Sequence, residues 1–137
     1  MQSRACVGAL VLTMTVTLLA RVEAEELIIE KRLQEVMTTQ FDLTACGDIA
    51  HTYQNDEQSA EIYNDLSFRL LDKAEKVGWT SEDLAIASVL VMENRTDIVV
   101  KEDDTLEDYR LRNYTGERCE RQVVAAQEYL AGSFPSP

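Results

Sequence analysis

Residues 57–77 read EQSAEIYNDLSFRLLDKAEKV, and within them Tyr63, Leu66, Leu70, Ala74 and Val77 recur at intervals of three and four. That period sets the five side chains on one stripe of an α-helix. The opposite side pairs Asp65 with Arg69 and Asp72 with Lys76 at four-residue spacing, as a solvated helix face does. Gly78 follows at once, suited to the left-handed residue that ends a helix. A helix with one apolar stripe needs other helices to cover it, and the flanking segments supply them.

Upstream, residues 25–38 place Ile29, Leu33, Val36 and Met37 at helical spacing. Residues 42–54 align Leu43, Cys46, Ile49, Ala50 and Tyr53, with Asp42 as the expected N-cap of a separate helix. Downstream, Thr80 or Ser81 caps a helix with Glu82 and Asp83 at its positive end. Its stretch Leu84–Met92, LAIASVLVM, is apolar nearly all round and is expected to be the central, buried helix. Asp97-Ile98-Val99-Val100 has the composition of a strand start but no partner; a short helix near Leu106–Arg112, capped by Asp103 or Asp104, is the preferred reading of that region. Thr115-Gly116 opens a last helix with Cys119, Val123, Ala126 and Leu130 on one stripe, stopped by Gly132 and the prolines beyond. No proline lies between Glu25 and Phe134, and glycines are few, which disfavours a turn-rich all-β chain. The expected fold is all-α: a small bundle of four to six helices over residues 25–132, with 133–137 as a flexible tail.

The first 24 residues read as an address rather than as structure. Arg4 precedes sixteen uncharged residues from Ala5 to Ala20, and Val22-Glu23-Ala24 offers the small-residue exit of a signal peptidase site. At about 1.5 Å per residue the run spans about 24 Å, short of the roughly 30 Å hydrocarbon core of a bilayer. A cut before Glu25 is expected, leaving an exported protein, periplasmic or extracellular, with no stable membrane insertion.

Export gives the remaining cysteines their meaning. Cys46 and Cys119 are the only two after residue 24, neither belongs to a C-x-x-C, and both fall on apolar stripes. In an oxidising compartment such a pair reads as a disulfide joining the second predicted helix to the last. Gly47, beside Cys46, is expected to let the two backbones approach. A zinc site using both thiolates and His51 is the rejected alternative, because the spacing lacks a metal-binding pattern.

The chain of 137 residues holds 25 acids and 13 bases, a formal net charge of -12. Such a surface repels phosphate, so nucleic acid is excluded as a partner class. No Gly-rich phosphate loop, nucleophile elbow or H-E-x-x-H occurs, and no catalytic residue, metal ligand or cofactor is assigned. The acidic run 101–108 lacks the glycine and alternating carboxylates of a calcium loop. Trp79, Glu102, Asp103, Asp104, Glu107 and Asp108 make up the candidate partner surface. Asn94 and Asn113 each start an N-x-Thr sequon and are glycan acceptors if the source is eukaryotic.

The expected function is a non-enzymatic binding or interaction module for a protein partner, a basic one being the complement of its charge. A periplasmic acid-stress chaperone and an enzyme without a visible motif are the alternatives. In size, export and cysteine count the chain resembles small exported helical proteins, acid-stress chaperones among them, but no motif carries over.

Overall fold

The computed structural model describes residues 31–137. The expected signal peptide and its cleavage site lie outside the described residues. Among the described residues there are five helices and no strand: α1 over residues 31–52, α2 Glu57–Lys76, α3 Ser81–Asn94, α4 Leu106–Asn113 and α5 Gly116–Ala131. The bundle and its Cys46–Cys119 disulfide between helices agree with the sequence reading.

α1 joins what the sequence divides into two helices. The Thr-Thr-Gln-Phe-Asp segment that suggested a junction is helical, and hydroxyls in it and just beyond it bond inside the helix. Thr38 Oγ1 donates to the Gln34 carbonyl at 2.8 Å, and Thr44 Oγ1 to that of Gln40 at 3.1 Å. Gln40 and Thr44 also reach across to Ser67 on α2, both at 2.9 Å, so the polar step becomes a satisfied contact between helices. Asp42 is therefore not an N-cap.

α1, not α3, is the central helix. Leu33 and Met37 pack with Ala74, Trp79, Leu84, Ala87 and Val91 on one side. Val36 and Leu43 pack with Leu66, Leu70 and Ala126 on the other. α3 buries only Leu84, Ala87 and Val91, while Ile86, Val89 and Met92 face outward. Uniform apolarity along α3 thus goes with an outer face that the described helices leave exposed, rather than with a buried core helix.

The helix ends follow local chemistry. Gly78, at φ +112°, closes α2 with its N–H on the Glu75 carbonyl, while the Trp79 N–H reaches Ala74; these are the two bonds of a Schellman motif. Thr80 and Asp83 form a capping box at α3. Thr105 and Asp108 form the same box at α4, so neither Asp103 nor Asp104 is that helix's cap. Thr115 caps α5, whose far end Lys73 holds by donating to the Tyr129 and Leu130 carbonyls at 3.1 and 2.7 Å.

The C-terminal residues are docked, contrary to the expected flexible tail. Phe134 packs against both core clusters, and the buried Trp79 donates its indole N–H to the Pro135 carbonyl at 2.7 Å. Trp79 is 7% exposed and does not belong to a partner surface. Gly47 also has a different role from the one expected. A Cβ there would lie 2.4 Å from Asn64 Oδ1, so the glycine admits an α2 side chain rather than the α5 backbone.

Candidate functional site

Three ties fix the region where α1, α3, α4 and α5 meet. The first is the disulfide between Cys46 on α1 and Cys119 on α5, with Cα atoms 5.9 Å apart. The second is an ion-pair network on Asp42, one turn before Cys46. Its carboxylate is fully buried and accepts from Arg95 at 2.6 Å, Arg118 at 3.0 Å and Gln122 at 3.0 Å. Arg95 sits at the C-cap of α3, where extended backbone turns its side chain inward. Both arginines continue to Asp97, so two cations meet two anions and the cluster is neutral.

The electrostatics follow from that geometry. Hydrogen bonds from Arg95 hold Asp97 well below the ordinary carboxylate range, against the opposing effect of burial, and Arg118 adds to them. Burial works to lower the pKa of Arg95, but its bonds to Asp97 and Asp42 outweigh it and the guanidinium is held charged. Arg118 lies over the Tyr114 ring at 5.4 Å, and burial pushes that phenol up to about 12.

The third tie is Asn113. Its side-chain oxygen accepts from the Val99 N–H at 2.7 Å, while its amide donates to the Val99 and Tyr109 carbonyls at 2.8 and 2.9 Å. The extended Asp97–Val100 segment, which lacks a partner strand, thus finds its backbone partner in one side-chain amide. Asn113 is buried with its amide committed to these bonds, so the folded protein offers it no glycan; Asn94 is exposed.

Held this way, the connection between α3 and α4 forms one wall of a cleft of about 570 Å³. Phe41, Val91, Met92, Ile98, Leu106 and Tyr109 are among the residues that line it, with Asp48 and Arg110 bridged at 3.5 Å within the same lining. Three apolar lining residues are left largely in solvent: Val100 at 75%, Met92 at 62% and Leu106 at 61%. Water-exposed apolar groups at the rim of a concave surface are what a binding site supplies and what a core avoids.

The candidate acidic surface splits in two. Asp104 turns inward onto Arg112, whose hydrogen bonds lower its pKa to about 2. Asp108 is used by the α4 capping box, and its bond from Thr105 lowers it as well. Glu102, Asp103 and Glu107 remain exposed close in sequence to Val100 and Leu106, and Glu93 follows Met92 directly. Sequence reasoning missed Met92, Val100 and Leu106, and also the Asp42–Arg95–Arg118 core. The available signal was Ile98-Val99-Val100, three apolar residues within a polar connection.

His51 bonds Glu57 at 2.8 Å on the surface. Among the described residues no group of three or more His, Cys, Asp or Glu is placed to hold a metal, and no helix is long and apolar enough to cross a membrane. The clearly shifted groups all move away from neutrality: aspartates down, tyrosines and arginines up. Such groups are fixed in one protonation state near pH 7 rather than poised to exchange a proton. Comparison with known protein families, curated proteins and solved structures finds no match for the chain.

Proposed function

We propose that this protein is a non-enzymatic binding module for a protein partner. The observation that carries the reading is the cleft rimmed by Met92, Val100 and Leu106, set on a wall that the disulfide, the Asp42 network and Asn113 hold in place. A preformed apolar recess on a stiff frame recognises a partner without paying to order itself.

The ion pairs also favour the module over an acid-stress chaperone, which has to open as pH falls. A carboxylate whose pKa is depressed in the folded state contributes stability that is full above its unfolded value near 4. That contribution declines progressively below about pH 5, as the unfolded chain takes up protons, and is gone only below the folded value, which is about 2 for Asp104 and lower for Asp97. At pH 3 both pairs are still largely formed. Near-ultraviolet dichroism of the buried Trp79 is therefore expected to be the same at pH 3 as at pH 7 in the disulfide-bonded protein, with loss only near pH 2 and below. Reversible opening at pH 3, with suppression of client aggregation there, would move the assignment to the chaperone.

Export belongs to the same proposal. It rests on the apolar run 5–20 and on a disulfide that suits an oxidising compartment. Mass spectrometry of the released protein is expected to find Glu25 at its N-terminus; a product still carrying residues 1–24 in the membrane fraction argues against it.

A further inference from the structure

Between Leu84 and Met92 the α3 segment has no charged residue, yet it buries only Leu84, Ala87 and Val91. At 100° per residue, Glu82, Ile86, Val89 and Glu93 fall on one outward stripe. Ile86 and Val89 are each about half exposed. The stripe is therefore apolar in its middle and acidic at both ends, and eleven residues of rise separate those ends by about 16 Å. Met92 links it to the cleft, where Val100 and Leu106 continue the exposed apolar surface.

We propose that the outer face of α3, with the cleft beside it, docks a cationic amphipathic helix of a partner protein. The proposal rests on the binding-module reading and names the partner's chemistry. Charge decides the occupant. Glu82, Glu93, Glu102, Asp103 and Glu107 make no ion pair with another described residue. From residue 82 to 112, Lys101 is the one cation without a described carboxylate partner. A second copy docking through the same face would bring acid against acid at the ends of the stripe, and an anionic lipid surface is repelled in the same way. A neutral apolar segment would cover Ile86 and Val89 but leave the end carboxylates without a complement. A helix of about three turns, with an apolar face and Lys or Arg at each end roughly eleven residues apart, satisfies both features. Its apolar face lies on Ile86 and Val89, and a larger side chain enters the cleft beside Met92.

The test uses the disulfide-bonded protein and three synthetic 14-residue peptides followed by fluorescence anisotropy. One is an amphipathic Leu/Ala helix with lysines at both ends, the second has the same composition in scrambled order, and the third carries glutamates in place of the lysines. The ordered cationic peptide is expected to bind at least tenfold tighter than the scrambled one and to weaken as salt rises, while the glutamate peptide stays unbound. Val89→Ser combined with Met92→Ser should weaken binding at least tenfold; both residues are exposed, and circular dichroism checks that the fold is kept. Phe68→Ser, at an exposed apolar residue of α2, should change nothing. Equal binding of ordered and scrambled peptides overturns the docking face, because net charge alone would then explain it. Stronger binding of the glutamate peptide overturns the partner chemistry and leaves the module reading standing. No binding by any peptide overturns this inference, whereas the module reading falls separately, on opening at pH 3.

Discussion

Asp42→Ala is expected to destabilise the domain by about 3–5 kcal/mol, the range for removing one partner of a buried charge cluster. The carboxylate satisfies three donors at once, from Arg95, Arg118 and Gln122. Removing it strands two guanidiniums whose side chains are only 11% and 12% exposed, with the half-exposed Asp97 as the remaining anion. The loss thus exceeds the net worth of any one bond, because it includes the penalty of buried charge without a partner. Urea unfolding gives the number. Arg69→Ala, which breaks an exposed pair with Asp65 at 3.5 Å, should cost no more than about 0.5 kcal/mol in the same assay. Adding Arg118→Ala to Asp42→Ala should cost much less than the two single losses together, since the second change removes one stranded cation. A loss under about 1 kcal/mol for Asp42→Ala would show that water or Asp97 compensates, and the network would not be what holds the cleft wall.

The same residue shows where sequence reading stops. Asp42 has the local preferences of a cap, and nothing within a helical turn of it argues otherwise. Its partners lie 53, 76 and 80 residues away. Asparagine, glutamine and arginine carry no periodic signal that a stripe analysis can detect, so Gln122 and Arg95 stayed invisible and Asn113 was read only as a sequon, although each donates a bond that shapes the site. What was legible depended on chemistry confined to a few residues. Gly78 after α2, Thr115 before α5 and Gly132 after it all act within one turn and were read as they stand, and Thr80 was one of the two caps offered for α3, with Asp83 placed in its first turn. Cys46 and Cys119 were legible across a long separation because each independently sits on an apolar stripe. α3 misled for a physical reason: apolarity along a helix says that a face wants cover, not that the neighbouring helices supply it. α1 shows the converse, being central despite Gln40, Asp42 and Thr44, because every one of those polar groups finds a partner.

Loss of the Cys46–Cys119 bond should rival the Asp42 substitution in size, through a different state of the chain. The bond closes a loop with a sequence separation of 73 residues. Opening it releases the unfolded chain from that constraint, worth about 4 kcal/mol in the chain-entropy account. Against a typical total of about 5–15 kcal/mol, that takes a large share of the stability and should lower Tm by roughly 15 °C. Cys46→Ser, Cys119→Ser and the double variant should lose similar amounts, and a reducing agent should bring the unmodified protein to the same level while leaving the variants where they are. The folded geometry should outlast the bond, because Asp42 with Arg118 ties the same two helices within a turn of it. The reduced protein should thus keep the near-ultraviolet signal of Trp79 at low temperature and lose it only on heating. Combining Cys119→Ser with Asp42→Ala removes both ties between α1 and α5, and the summed loss of about 7–9 kcal/mol reaches into the range of total stability, so that variant should be largely unfolded at 25 °C. A folded double variant, or a reduced protein whose Tm is unchanged, would mean that the apolar contacts of α1 alone hold the bundle, and that the disulfide and the buried ion pairs are not what keeps the cleft in shape.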